Sequence, residues 1–272
     1  MSRRDMTPDD FAFLARLLRR RSGLSLTFDK KALLESRLET VMRRFDFRDM
    51  AALIRELRLG AETLAESLTE AMTVNETSFF RDPGLFQRLR DRVMPRLLLA
   101  CAPTRRLRIW SAAAASGQEA YSIAILLSEL GLAREGWTID LIATDLSVQA
   151  IARAEQGRYA SCEVARGLNE SLLAQHFRKD GNDWVAGDAL RRLVTFRRFN
   201  LLDSYGWLGD LDIVLCRNVL IYFDGATRKS ILERLAETLS ADGMLLLGEA
   251  ETPQSFTNAF VELPGGPGLY GK

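Results

Sequence analysis

The stretch at residues 107–127, LRIWSAAAASGQEAYSIAILL, constrains the fold more than any other part of the chain. Leu107, Ile109 and Trp110 form a short apolar run with β preference. Ser111 to Gly117 are Ser, four Ala, Ser and Gly, which leaves little side-chain bulk to keep a ligand away. From Gln118 the spacing becomes helical. Tyr121, Ala124, Ile125 and Ser128 recur at three- and four-residue intervals, with Ile123, Leu126 and Leu127 beside them. A strand running through a small-residue turn into a helix N-terminus is how doubly wound α/β folds hold a nucleotide. Gly117 is the only glycine of the turn, so G-x-G-x-x-G is absent and a nicotinamide dehydrogenase is the weakest reading. Two readings stay open on this stretch alone: a nucleoside cofactor without phosphate, and an ordinary buried βα unit.

Composition narrows the class. The chain has 272 residues, 47% hydrophobic and 27% charged, as in soluble globular proteins of one large or two smaller domains. No apolar run reaches the roughly 18–20 residues needed to cross a bilayer, so direct membrane insertion is not expected. The start, MSRRDMTPDD, has no apolar signal core. A formal net charge of +1 gives no argument for nucleic acid. Cys101, Cys162 and Cys216 are odd in number and far apart. They suggest neither a disulfide framework nor a metal site, and a reducing cytoplasm fits. The single histidine, His176, sits in LLAQHFRKDG and reads as a surface or packing residue, although its count alone does not exclude a Ser-His-Asp triad.

Residues 1–70 read as almost entirely helical, with Phe11, Leu14, Leu17 and Leu18 on one face and Gly23 and Gly60 as helix ends. Residues 1–60 hold 14 Arg or Lys against 9 Asp or Glu. Lys30, Arg37 and Arg44 are seven apart and are expected to share one stripe of the second helix. That stripe is either a solvated face or a docking surface for an acidic partner helix, with Arg43 beside it. TVNETSFFRDP at 73–83 breaks the helical pattern, and Pro83 can open the next helix. A helix at 88–99 contains Pro95, which predicts a kink or early break. A second strand at 139–142 leads to Asp145, placed where an acidic residue accepts hydrogen bonds from ribose hydroxyls, and Ser147 is positioned to cap the helix at 148–156. Beyond a short helix at 169–177 and the turn-rich KDGND, 184–185 and 190–199 have strand-like composition and predict a β-hairpin or small β excursion. A buried strand at 213–216 then meets Arg217-Asn218, a helix spans 227–239, ADG forms its exit turn, and a strand follows at 244–247. The glycine-rich tail ends in a loop or a final edge strand.

Five segments in order, NETSFFRDP (75–83), WSAAAASGQEAYSIA (110–124), ATDLS (143–147), NLLD (200–203) and CRNVLIYFD (216–224), resemble the chemotaxis-receptor glutamate methyltransferases, the CheR family. The likeness covers nearly the whole chain. It implies an α/β fold: a small all-helical N-terminal domain (1–72), a linker carrying cofactor-site residues (73–90), and a doubly wound S-adenosylmethionine-dependent methyltransferase domain (91–272) with a small antiparallel β-subdomain near 177–198. It implies a cytoplasmic enzyme, expected as a monomer, that methylates glutamates on the methylation helices of chemoreceptors. S-adenosylhomocysteine would be the coproduct, with no metal. Carried over by motif, cofactor contacts fall on Asn75, Thr77, Arg81, Glu119, Asp145, Asn200, Leu201, Arg217 and Asn218. Two departures stand out. The family commonly reads GEEPYS where Gly117-Gln118-Glu119-Ala120-Tyr121-Ser122 stand, which keeps one carboxylate. It often shows a histidine and a serine where Gly248-Glu249-Ala250-Glu251 stand. The hairpin at 177–193 is also short for gripping a tethering peptide at a receptor C-terminus.

The implied reaction is an in-line attack of a glutamate carboxylate on the methyl of a sulfonium. That carboxylate is ionised near pH 7, its reference pKa being about 4.3, so no general base is needed and one histidine is enough. Catalysis then comes largely from positioning, where good orientation supplies on the order of 7–11 kcal/mol. Arg81 and Tyr222 are the catalytic candidates. Arg81 can orient a carboxylate through its fork of donors, either the substrate's or the cofactor's. Tyr222 lines the transfer site or is a core aromatic at the strand end. Two alternatives explain the cofactor residues: a methyltransferase acting on another substrate, and a non-catalytic S-adenosylmethionine-binding adaptor of a receptor system.

Overall fold

The computed structural model describes residues 6–132, 134–264 and 266–272. The chain forms two compact units. One runs to Val74 and takes in Tyr222–Thr227; the other comprises Asn75–Ile221 and Arg228–Lys272.

The first unit is built from α1 (Pro8–Ser22), α2 (Lys31–Arg44), α3 (Met50–Arg58) and α4 (Glu62–Met72). The ends of α1 follow from local chemistry. The Thr7 side chain accepts from Asp10 N–H, Pro8 opens the first turn, and Gly23 closes the helix in the left-handed region at φ 76°. Phe11, Leu14 and Leu18 share its inner face and meet Leu34, Leu38, Val41, Leu53, Leu57 and Leu68 in one apolar core. The expected stripe changes in one respect. Lys30 does not lie on α2 but closes a 3-10 turn, Phe28–Lys30, whose last N–H donates to Thr27 O at 2.9 Å. The turn runs directly into α2, which carries Arg37 and Arg44. Late in the sequence, Tyr222–Thr227 joins these helices: Ser25 N–H donates to Tyr222 O at 2.9 Å, Leu24 and Phe223 form an antiparallel bridge, and Arg19 pairs with Asp224 at 2.7 Å.

The second unit is organised on a seven-stranded sheet. Its strands are β1 (Arg106–Ser111), β2 (Thr138–Asp145), β6 (Val194–Arg198), β7 (Leu211–Cys216), β8 (Leu239–Leu247), β9 (Val261–Glu262) and β10 (Leu269–Gly271), in the order β6-β2-β1-β7-β8-β10-β9. β6 to β8 along that order are parallel; β10 and β9 add antiparallel pairings. The chain steps outward from β1 to β2 and β6, then returns to the other side of β1 with β7. The order therefore reverses between β1 and β7, the topological switch point beside which open α/β sheets bind ligands. α7 (Gln118–Glu129), with all its residues from Gln118 to Leu127 buried, α8 (Val148–Gln156) and α12 (Gly225–Thr238) connect the strands.

Several boundaries differ from the sequence reading. The small sheet is three-stranded, β3-β5-β4, made of β3 (Arg158–Ala160), β4 (Phe177–Asp180) and β5 (Asp183–Ala186). It begins earlier than 177, and β6, read as part of the excursion, belongs to the large sheet beside β2. Residues 190–193, the start of the run at 190–199 read as strand-like, instead belong to α11 (Asp188–Leu193), in which Leu190 is buried and Arg191 and Arg192 are exposed. The 88–99 helix divides as Pro95 requires: a π turn, Leu89–Val93, intervenes between α5 (Pro83–Arg88) and α6 (Met94–Ala100), opening the ladder where the proline has no N–H to give. ADG at 241–243 lies inside β8, at the irregular register opposite Leu211 and Ile213. The edge is β9; β10 lies one strand in.

The small sheet and the NETSFF segment are joined by close approach. Phe79 packs edge-on to Tyr159 at 5.0 Å and to Phe177 at 5.5 Å. Gly167, at φ 117°, leaves no room for a side chain: a Cβ there would lie 1.9 Å from Phe79 O. Gly181 in the β4–β5 turn is also left-handed, at φ 63°, but open around its Cβ direction. Gly181→Ala should therefore lose only the left-handed penalty, about 1–2 kcal/mol. Gly167→Ala adds a backbone clash and should cost at least twice as much. Urea unfolding midpoints of the two variants check this, and equal shifts would refute the close approach.

Candidate functional site

The site residues gather at the carboxyl ends of β1, β2 and β7 within the second unit. After β1 the backbone turns sharply. Ala112 N–H donates to Leu215 O at 2.8 Å, Ala115 is left-handed at φ 48°, and Gly117 caps α7 at φ 93°. A Cβ on Gly117 would stand 2.8 Å from Ala154 Cβ, so α7 and α8 close together only over a glycine.

Two buried carboxylates face this turn. Glu119, in the first turn of α7, accepts from Ser111 Oγ at 2.8 Å and from Arg217 Nη1 at 3.0 Å. Asp145, at the end of β2, accepts from Ala115 N–H through Oδ2 and from Ser147 N–H through Oδ1, each at 2.9 Å. Glu119 and Asp145 are 9% exposed and Arg217 is 7% exposed, so their charges interact in a largely dry setting. Arg217 is held from three sides. Besides Glu119, its Nη2 donates to Arg81 O at 2.8 Å, and Asp82 lies 3.9 Å away. Its buried Nε has no partner among the described residues.

The remaining candidates fall around this centre. Asn75 Nδ2 donates to Ser147 Oγ at 3.3 Å, and Ser147 also caps α8 by accepting from Ala150 N–H. Thr77 is half-buried. Arg81 is exposed, with Nη1 donating to Glu76 O at 3.2 Å. Phe80 N–H donates to Ser122 Oγ, fixing the segment against α7. Phe199 N–H donates to Asp145 O, which brings the next turn alongside; there Asn200 Oδ1 accepts from Leu202 N–H and the Leu201 carbonyl accepts from Tyr205 OH and Arg234 Nη2. Asn218 is left-handed at φ 57°. Tyr222, Lys30, Arg37 and Arg44 belong to the helical unit. The structure adds Ser111, Ser122, Ser147 and Glu251, whose side chains hold the candidates in place. For Ser111 and Ser122 the signal in the sequence was faint, since a serine flanking a small-residue turn has many ordinary uses; Ser147 was legible as a helix cap, and Glu251 only as part of a departure from the family pattern.

Comparison with known proteins now has a geometry to attach to. The description "CheR methyltransferase, all-alpha domain" matches residues 9–73, and "CheR methyltransferase, SAM binding domain" matches residues 75–266. "Chemotaxis protein methyltransferase 1" of Pseudomonas aeruginosa is 37% identical over 266 residues, 96% of each chain. The chain belongs to the CheR methyltransferase family. "Chemotaxis protein methyltransferase Cher2" of Pseudomonas putida is 38% identical with 96% of each chain covered, and "Chemotaxis protein methyltransferase 1" of Vibrio cholerae is 34% identical over 97% of this chain and 96% of its own. The resemblance read from five short segments is thus confirmed, and with it an S-adenosylmethionine-dependent methyltransferase.

The residues of this CheR-family chain fit that cofactor. Its ribose hydroxyls and amino group need acceptors, and Asp145 and Glu119 are buried carboxylates. Its carboxylate needs donors, and the partnerless Nε of Arg217 and the exposed fork of Arg81 are such donors. Ala112 to Ala115 leave the turn without bulk. Among the described residues no cluster of His, Cys, Asp and Glu is arranged to hold a metal, and no helix is long and apolar enough to cross a membrane.

The Glu119–Arg217 pair gives a stability test. Removing one partner of a buried pair leaves an uncompensated charge, at a cost of about 3–5 kcal/mol. Glu119→Ala should lower stability by that order in urea titrations without ligand. Glu119→Ala with Arg217→Met should recover most of it. Two additive losses would show that the charges are not coupled.

Proposed function

We propose that this chain transfers methyl groups from S-adenosylmethionine to glutamate side chains on the cytoplasmic methylation helices of chemoreceptors, forming γ-methyl esters, and that it acts as a cytoplasmic monomer. The observation that carries the reading is the acid–arginine cluster at the β1–β7 switch point of a domain matched to the CheR SAM-binding description. The relatives' names, chemotaxis protein methyltransferases, supply the substrate class.

In this reading Asp145 receives the ribose hydroxyls. Glu119, Asn75, Thr77, Asn200, Leu201, Arg217 and Asn218 complete the cofactor's surroundings. The cofactor, when bound, supplies an electrophilic methyl on a sulfonium. The residues of the chain hold it, exclude water and orient a receiving carboxylate. Arg81 is suited to orientation: its guanidinium is exposed, and its main chain is tied to Arg217 through the carbonyl. Tyr222 is kept as a second candidate at the transfer step. Arg37 and Arg44 on α2 present positive charge to an acidic helix; Arg37 is half-buried and Arg44 exposed, stacked 5.7 Å over Phe45.

Incubation with methyl-labelled S-adenosylmethionine and a receptor cytoplasmic fragment should transfer label to the fragment, and mild base should release it as methanol, as an ester requires. Base-stable label would point to another acceptor chemistry, and no transfer despite S-adenosylhomocysteine binding would point to an adaptor.

The charge on α2 gives a second test. Exposed ion pairs are individually worth about 0.2–1 kcal/mol and are screened by salt. Reversing Arg37 and Arg44 to Glu should therefore raise KM for the fragment severalfold at low salt, shrink that gap in added salt, and leave S-adenosylhomocysteine affinity unchanged. A wild-type KM at low salt would make the face merely solvated.

A further inference from the structure

The loop that follows β7 holds an uncommon backbone without its own side chains supplying the reason. Asn218 is left-handed at φ 57°, a region that asparagine enters more readily than other non-glycine residues and that is fixed here by what its neighbours accept. The Arg217 side chain is committed elsewhere, to Glu119 and to Arg81 O. The loop's N–H groups end on a residue from another part of the sheet. Glu251 Oε2 accepts from Asn218 N–H at 2.6 Å, and its Oε1 accepts from Ile221 N–H at 3.4 Å. The same Oε2 accepts from Gly248 N–H at 2.8 Å, within the turn that leaves β8.

Glu251 is 6% exposed and is fixed from its own side as well. Its N–H donates to Gly248 O at 2.9 Å, and its carbonyl accepts from Tyr270 OH at 3.4 Å. The turn tolerates no bulk: a Cβ on Gly248 would lie 2.6 Å from Asn218 Nδ2 and 2.8 Å from Glu251 Oε2. One carboxylate thus ties together the exits of two adjacent parallel strands. It is not the counter-charge of Arg217, which is met by Glu119 at 3.0 Å and Asp82 at 3.9 Å.

We infer that Glu251 is a positioning residue of the methyltransferase site: by accepting the main-chain N–H groups of the loop after β7, it holds Arg217 and Asn218 in their binding geometry without touching the cofactor. This rests on the reading of Arg217 and Asn218 as cofactor contacts. Reach and acceptor geometry matter for such a role, whereas a counter-charge would depend on charge. Gln keeps the length of the side chain and one acceptor oxygen; Asp keeps the charge and loses a methylene of reach.

The test uses the full chain and S-adenosylhomocysteine as the probe in calorimetric titration, with amide hydrogen exchange on the unliganded protein. Glu251→Gln should weaken binding about fivefold and Glu251→Asp more than tenfold. In both, exchange should quicken at 216–221 while α7 keeps its protection. Asn218→Gly, which preserves the left-handed backbone and removes the side chain, should also weaken binding. Wild-type affinity in Asn218→Gly would break the reading of the loop as a cofactor contact. Loss in Asn218→Gly with wild-type affinity in Glu251→Gln and Glu251→Asp would overturn the role of Glu251 alone. So would better function in Glu251→Asp than in Glu251→Gln, or exchange quickened evenly across the sheet. If Glu251→Asp does not fold, the affinity and local exchange of Glu251→Gln decide.

Discussion

The ligand end of the sheet depends on one buried cation. Arg217 lies at the exit of β7, almost fully removed from water, and an arginine keeps its charge there. A charge in that position is tolerated only if it is paired and hydrogen-bonded. Its partners are placed by two separate pieces of local structure. Glu119 is delivered by the first turn of α7, which begins only because Gly117 can take a left-handed backbone. Arg81 O is delivered by the NETSFFRDP segment, pinned where Phe80 N–H meets Ser122 Oγ. Asp82 is both the N-cap of α5 and a neighbour of the guanidinium. Three parts of the chain far apart in sequence, 81–82, 119 and 217, are therefore held to one spot by the need to satisfy a single side chain.

Strain is concentrated in the same place. Among the described residues, six non-glycine positions have positive φ, and four of them are Phe80, Asp82, Ala115 and Asn218. Ala115 and Asn218 lie in the loops that leave β1 and β7, and Phe80 and Asp82 in the segment before α5 that bonds to Ser122 and Arg217. Such positions persist when surrounding contacts over-determine them, as they do here: Asp82 caps α5 through Leu85 N–H, Ala115 N–H is held by Asp145, and Asn218 N–H is held by Glu251. A loop fixed in this way presents its polar groups before a ligand arrives, which is the form of preorganisation that favours binding.

That concentration also explains what could be read from the sequence. Elements with a clear period were legible: α7 from its three- and four-residue spacing, β7 from its unbroken apolar run, and the Ser147 cap from its place after Asp145. The site was legible in outline, because Glu119, Asp145 and Arg217 are polar residues at the ends of apolar strands. Less legible were features set by tertiary contact. Residues 190–193 open the run read as strand-like yet belong to one short helix, in which Leu190 is buried and Arg191 and Arg192 are exposed. Lys30 stands one residue ahead of α2, at the close of the 3-10 turn that leads into it. Glu251 stood in a segment noticed only for departing from the family pattern; its importance comes from N–H groups some thirty residues earlier, which no local spacing displays. CRNVLIYFD was read as one segment, yet its chain passes from the sheet unit to the helical unit between Ile221 and Tyr222.

The chemistry of the site is set as much by what its ionisable groups are already doing. His176 is buried at the end of α10 (Glu170–His176), bonded to Glu129 at 3.1 Å, and serves the fold. Burial pushes the Cys216 thiol well above its ordinary range, and the charges of Glu251 and Glu119 push it further, so it stays protonated and unreactive beside the loop. Burial likewise lifts the Tyr121 hydroxyl to about 12, leaving it as a donor to Ala154 O. Glu119, Asp145 and Glu251 are occupied as acceptors of N–H or O–H groups. An acceptor that had to be deprotonated on the enzyme would find little help in this arrangement. A carboxylate needs none, since it arrives ionised near neutral pH. In the proposed reading the receiving glutamate carboxylate would then need only to be oriented against the methyl donor, and good orientation is where such a reaction gains most of its acceleration.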